Sequence, residues 1–281
     1  MEFRPIEPLT EPEAHKLELL RDFLKNLNHI LIAYSGGVDS SLVAAISKEQ
    51  LGAQAIAVTG VSPSLAPYLL KEARQQANWI GIEHRECLTN EINDPAYNQN
   101  PKNRCFACKK ELHNHLKAIA ISSKNSQVLD GVNHDDLKEF RPGLEAANQA
   151  GVISPLAKLK ITKLEVRAIS KALGFPWWDK PSQPCLASRF PYGESISSQR
   201  LKQIAKAEQW LVQKGYKQVR VRIQGLGARI EVPPKRIEEL IQVLNREAIV
   251  QYFLSIGFTS VSIDLEGLVS GKLNRDLGNK T

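Results

Sequence analysis

His29-Ile30-Leu31-Ile32-Ala33-Tyr34-Ser35-Gly36-Gly37-Val38-Asp39-Ser40-Ser41 is the stretch that decides the fold. Its first half is an apolar run of strand length and reads as a buried strand. Leu42, Val43 and Ile46, just beyond it, recur at helical spacing. A strand that turns through two glycines into a helix start makes an anion site. Glycine lets backbone N–H groups approach phosphate oxygens, and the helix N-terminus adds the positive end of its dipole. Ser35, Ser40 and Ser41 add hydroxyl donors, and Asp39 is a hard oxygen ligand suited to Mg2+ on a pyrophosphate. No Gly-Lys-Ser/Thr follows, so this is not a Walker A loop. The G-x-G-x-x-G spacing of dinucleotide sites is also missing. The plain alternative is a surface turn with an Asp near a helix start. The order strand, loop, helix argues against it.

Working outward, residues 12–27 carry Leu17, Leu20, Phe23, Leu24 and Leu27 and predict an amphipathic helix. Helix 40–50, strand 54–59, helix 64–78, strand 82–88, helix 107–122 and a strand and loop over 127–133 follow. Strands alternating with helices predict an α/β fold, a parallel sheet with helices on both faces. Ligands then lie beyond the carboxyl ends of the strands, where Ser35–Gly37 and Asp130-Gly131-Val132-Asn133 both fall. The proline- and aromatic-rich stretch Phe175–Pro184 breaks the alternation and reads as a linker. Beyond it, helix 197–214, strands 218–224 and 228–232, helices 234–243 and 245–256 and strand 259–264 predict a smaller α+β unit. The expected domains are 1–180, 181–269 and a mobile polar tail, 270–281.

The chain has 281 residues, 42% hydrophobic and 24% charged, an ordinary globular composition. No apolar run approaches the ~20 residues of a membrane span, and the N-terminus lacks a signal core, so a cytoplasmic protein is expected. The net charge of +7 is spread without a Lys/Arg block. It fits a small anionic substrate as well as nucleic acid.

Four cysteines, Cys87, Cys105, Cys108 and Cys185, are too few and too irregular for a disulfide framework in a reducing compartment. Cys87 ends a strand and reads as a packed thiol. Cys185 stands in a proline-bounded loop with Arg189, where a neighbouring cation could favour the thiolate; a structural thiol is the plain alternative. Cys105-Phe106-Ala107-Cys108 is open to redox, metal or structural readings. In Gln218-Val219-Arg220-Val221-Arg222-Ile223, alternation puts both arginines on one face, either the wet side of a strand or an anion clamp. Glu208, Glu231 and Glu239, with Glu238 an equal candidate to the last, read alone as solvated carboxylates.

Ser35–Ser41 resembles the SGGxDS pyrophosphate loop of the ATP pyrophosphatase (PP-loop) families, which adenylate a substrate oxygen and release pyrophosphate. Over most of its length the chain resembles the LarE family of ATP-dependent sulfur insertases. The resemblance rests on Ser35–Ser41, Asp130–Leu137, Arg141-Pro142-Gly143, Ser154-Pro155-Leu156, Trp178–Pro181 and Cys185–Gly193. It implies an adenine nucleotide alpha hydrolase-like fold and a substrate, pyridinium-3,5-biscarboxylic acid mononucleotide, whose carboxylates become thiocarboxylates for a nickel-pincer cofactor. By resemblance ATP and Mg2+ serve at Ser35, Gly36, Gly37, Val38, Asp39, Ser40, Ser41, Gly131, Ser188 and Arg189. Arg220 and Arg222 clamp the substrate phosphate, Glu208, Glu231 and Glu239 hold a divalent metal, and the protein is a homo-oligomer without a nucleic-acid partner. Cys185 matches the family cysteine that attacks the acyl-adenylate and surrenders its sulfur. Some members instead carry three cysteines, here Cys105, Cys108 and Cys185, around a [4Fe–4S] cluster whose open iron holds sulfide. Because Cys105 and Cys108 have no work in the sacrificial route, the cluster route is the favoured expectation. A tRNA thiolase and a non-catalytic ATP-binding sensor are the alternatives. NAD or GMP synthetases give no reason for Cys185.

Overall fold

A computed structural model of the chain describes residues 3–123, 126–138, 142–269, 272 and 275. Arg141 and nearly all of the expected tail lie outside the described residues. The elements run α1 (Glu11–Lys25), β1 (Ile30–Ala33), α2 (Val38–Leu51), β2 (Ala55–Val61), α3 (Pro67–Ile80), β3 (Glu83–Leu88), α4 (Pro95–Asn98), α5 (Arg104–Ser122), β4 (Gln127–Leu129), α6 (Pro142–Gln149), α7 (Pro155–Lys158) and α8 (Lys163–Ala172). They continue through α9 (Ser198–Gln213), β5 (Arg220–Gln224), β6 (Gly227–Glu231), α10 (Ile237–Ile241), α11 (Val243–Ser255) and β7 (Val261–Ile263).

The chain divides into two units. The first comprises residues 1–62, 67–94 and 103–183; the second comprises 63–66, 95–102 and 184–281. The first unit is an α/β fold around a four-stranded sheet in the order β3-β2-β1-β4. Every pairing is parallel, with Ile30 opposite Ala55 and Gln127. Alternation along β1 sorts its residues between two cores. Ile30 and Ile32 pack with Leu17 and Leu20 of α1, Leu42 and Ile46 of α2, and Val166 and Ile169 of α8. Leu31 packs on the other face with Val58, Cys87, and Leu116 and Ala120 of α5. Helices therefore cover both faces. Cys87 is the packed thiol expected, and burial pushes its pKa up.

Phe175–Pro184 carries no helix or strand and contains a boundary between the two units, yet its first residues are packed. Phe175 is 1% exposed, and its ring meets Trp79 and Trp177 at 5.4 and 5.3 Å. Aromatic area decided the outcome there against proline, because burying such rings is worth more than the turn residues around them oppose. Helices α6 to α8 occupy a stretch that hydrophobic periodicity did not flag. The second unit carries a three-stranded sheet, β5-β6-β7, antiparallel between β5 and β6 and parallel between β6 and β7. It is the smaller α+β unit, with Leu201, Ile204 and Leu211 of α9 and Phe253 of α11 buried.

Candidate active site

The glycine loop leaves the carboxyl end of β1, where the Tyr34 N–H donates to the Val58 carbonyl at 2.9 Å. Gly36 has φ +67°, and a Cβ there would stand 2.9 Å from the Ala73 Cβ, so conformation and space both require glycine. Hydroxyls stitch the turn together. Ser35 and Ser40 Oγ atoms are 3.1 Å apart, and the Gly37 N–H donates to Ser35 Oγ at 3.3 Å. Val38 is core, and Ser41 is fully buried with its Oγ 3.2 Å from the Tyr34 hydroxyl. That hydroxyl is pushed up to about 12 by burial. Ser41 thus anchors the helix from inside. Ser35 is exposed and Ser40 is buried, and both lie in the turn itself.

Gly131 follows β4, and a Cβ there would lie 2.6 Å from the Ser40 backbone nitrogen. The end of β4 therefore lies directly against the first turn of α2. Two residues on, Asn133 is 2% exposed and works as a hub. Its Oδ1 accepts N–H bonds from Asp135 and Asp136 at 2.9 and 3.2 Å, and its Nδ2 donates to Asp39 Oδ1 at 3.1 Å. The other Asp39 oxygen accepts from Lys163 Nζ. Lys180 Nζ donates to the Gly36 carbonyl at 2.9 Å and pairs with Glu72 at 2.8 Å. Neither lysine was singled out from the sequence. The local signal for Lys163 is the capping box Thr162-x-x-Glu165, in which the Thr162 N–H donates to Glu165 Oε2 at 2.7 Å and starts α8 at Lys163. Asp39 fits the part of a Mg2+ ligand: its carboxylate is 18% exposed and already accepts a cation.

Cys105 and Cys108 lie in the first turns of α5, three positions apart and so on one helix face, exposed and half-buried respectively. Cys185 is exposed, outside any disulfide, and belongs to the second unit. Among the described residues no three His, Cys, Asp or Glu side chains are grouped to hold a metal. Glu208, Glu231 and Glu239, the three carboxylates expected around a divalent metal, are therefore not grouped as a metal site.

The second unit instead pairs its acids with arginines. Arg189 and Glu208 are 2% and 1% exposed and meet through two bonds of 2.8 and 2.9 Å, while Glu208 Oε1 also accepts the Val221 N–H. Arg189 reaches Cys185 at its carbonyl oxygen, 3.5 Å away, with its charge paired to Glu208. Arg222 Nε donates to the fully buried Glu231 at 2.6 Å, and its Nη1 donates to the Ser188 carbonyl at 2.8 Å. Glu208 and Glu231 are thus neither solvated nor exposed. Glu239 is the surface acid, held by Arg236. The Arg220 side chain makes no hydrogen bond or ion pair among the described residues, although Glu231 and Glu208 attract its charge. Burial and the neighbouring Arg189 and Arg222 lower its pKa. The loop Cys185–Gly193 is held by residues far upstream. Asn100, fully buried with φ 55°, donates to the Pro191 carbonyl at 2.6 Å and accepts from the Gly193 N–H at 3.0 Å. The Leu186 N–H donates to the Ser64 carbonyl at 2.9 Å.

A parallel sheet with helices on both faces, and a glycine turn from its strand β1 into α2, place the first unit in the α/β PP-loop class. No family profile matches the chain. Over 265 residues it is 32% identical to the pyridinium-3,5-bisthiocarboxylic acid mononucleotide synthase of Lactiplantibacillus plantarum, covering 94% of this chain and 95% of that one. An uncharacterized protein of Synechocystis sp. is 53% identical over 262 residues, 93% of this chain and 98% of its own. An uncharacterized protein of Methanocaldococcus jannaschii is 32% identical over 248 residues, 88% and 93% of the two chains. The chain belongs to the LarE family, that of the Lactiplantibacillus synthase. No described helix is long and apolar enough to cross a membrane.

Proposed function

We propose that the protein is an ATP-dependent sulfurtransferase that converts carboxylates of pyridinium-3,5-biscarboxylic acid mononucleotide to thiocarboxylates, in nickel-pincer cofactor biosynthesis. The observation that carries the reading is the glycine loop, with Gly36, Ser35 and Ser40 in the turn and Asp39 beside it, in a chain related end to end to the Lactiplantibacillus synthase. A carboxylate is a poor electrophile until a good leaving group replaces its oxygen. ATP supplies one as AMP, releasing pyrophosphate, and backbone N–H groups at the α2 start stabilise the departing charge. Asp39 would hold Mg2+, which would neutralise the charge on that pyrophosphate. Arg220, with no partner among the described residues, binds the substrate phosphate. The Cys185 thiolate attacks the acyl-adenylate carbon, AMP leaves, and a thioester forms. Loss of the Cys185 α-proton then breaks its Cβ–S bond, leaving dehydroalanine on the protein and the thiocarboxylate on the substrate.

The test is the product set with the pyridinium nucleotide present. AMP and pyrophosphate are expected, and intact-protein mass should fall by the elements of hydrogen sulfide at Cys185. ADP and phosphate would overturn the adenylation step. A second sulfur source, sulfide on a [4Fe–4S] cluster, is favoured by the placement of Cys105 and Cys108 on one helix face. Under it the Cys185 mass stays constant, added sulfide supports repeated turnover, and Cys105→Ala, Cys108→Ala and Cys185→Ala lose iron and activity together.

A further inference from the structure

The Walker A phosphate loop carries a lysine of its own; this one, Ser35-Gly36-Gly37-Val38-Asp39-Ser40, does not. The fold brings two lysines to it from residues more than a hundred positions away. Lys163 Nζ sits on the Asp39 carboxylate and Lys180 Nζ on the Gly36 carbonyl. Neither is a loosely tethered surface lysine. Lys163 is the first residue of α8, fixed by the Thr162–Glu165 capping box and by its own N–H, which donates to Asp135 Oδ2 at 2.9 Å. Lys180 is only 13% exposed. Each ammonium has three donors, and the bonds described leave at least one on each for a ligand. Their acidic partners are reachable by water, 18% exposed at Asp39 and 43% at Glu72, so exchanging a carboxylate for a phosphate oxygen costs little.

We propose that Lys163 and Lys180 are the phosphate-binding cations of this loop. Lys163 Nζ is paired with the Asp39 carboxylate, which would hold a divalent cation with the nucleotide. On polyphosphate binding, Lys163 donates to phosphate oxygens, and Asp39 would then be available to a divalent cation. Lys180 adds its remaining donor from the Gly36 side. The inference rests on the ATP-binding reading above and deepens it.

Calorimetry on the full chain with inorganic pyrophosphate and with adenosine, each in Mg2+, tests it against Lys163→Gln and Lys180→Gln. Each variant should bind pyrophosphate about tenfold or more weakly, the loss of a charge-assisted hydrogen bond, with adenosine affinity unchanged. Lys163→Arg and Lys180→Arg should recover part of the loss. Unchanged pyrophosphate affinity in both Gln variants, in a chain that still releases pyrophosphate from ATP, overturns this inference alone. A parallel loss of adenosine affinity also overturns it, because both lysines would then be structural. A parent chain that binds neither ATP nor pyrophosphate overturns the ATP-binding reading itself. Thermal melting identifies a variant that does not fold. Should Lys163→Gln be one, Lys180→Gln carries the test.

Discussion

The glycine loop of the first unit and the arginine layer of the second are the two anion sites proposed above, and they are built in opposite ways. In the loop the backbone is crowded and the charges are accessible. Gly36 and Gly131 have no room for a methyl group, while Asp39, Lys163 and Lys180 pair where water reaches them. In the arginine layer the charges are buried. Arg189 and Arg222 are neutralised by Glu208 and Glu231, while Arg220 has no ion-pair partner among the described residues. A loop of the first kind should tolerate a lost charge and resist added volume. A layer of the second kind should do the reverse.

The largest effect expected is in the layer. Arg222→Ala leaves the buried Glu231 carboxylate with no ion pair beyond the 3.7 Å contact with Arg229, and should destabilise the protein by about 3–5 kcal/mol in a denaturant titration. A loss under about 1 kcal/mol would break the contrast. Next comes His113, which tests whether the first unit hides an ionisable group of its own. Its ring is 3% exposed with neither nitrogen hydrogen-bonded, and burial, helped by Lys109, lowers its pKa from 6.5 to about 4. The unfolded chain therefore binds more protons between those values, so stability should fall as pH drops from 6.5 towards 4. The total is about 3 kcal/mol, and His113→Leu should flatten that part of the stability–pH curve. Gly131→Ala should cost about 1–3 kcal/mol, since its Cβ would meet the Ser40 backbone, and a neutral result would remove the steric half of the contrast. Smallest in stability is Arg220→Ala, expected within about 0.5 kcal/mol of the parent. It should nonetheless weaken binding of the pyridinium nucleotide by about 1.5–3 kcal/mol and leave ATP binding unchanged. Equal weakening for both ligands would mean Arg220 is structural.

Local signals made the loop legible. Apolar run, glycine pair and helical spacing lie within a few residues of one another, and the parallel sheet followed from repeating that unit. The lysines were not legible, because a lysine's role there depends on which strand end its helix start faces. The capping box at Thr162 showed where α8 begins but not what stands opposite. Alternation along β5 correctly put Arg220 and Arg222 on one face, yet gave them a common fate. The structure separates them, because Glu231 lies within reach of Arg222 and Arg220 has no such partner among the described residues. Glu208 and Glu231 read as solvated because sequence alone carries no sign of which acids will be matched by buried arginines. The packing of Phe175 was not legible for the same reason: its partners, Phe3 and Trp79, are far upstream.

Ser64, Tyr97 and Asn100 carry a consequence for how the chain is made. They belong to the unit completed by residues 184–281, yet they are translated far earlier. When they leave the ribosome, the loop they will hold has not been synthesised, and domains fold in the order in which their parts emerge. The four-stranded sheet has all its strands once Leu129 is out, whereas residues 63–66 and 95–102 belong to a unit completed only by the last third of the protein. A fragment beginning at Pro184 would carry Cys185 without Asn100 or Ser64 to shape the turn around it. The turn around Cys185 thus takes shape only after every strand of the first unit has been made, from segments translated far apart.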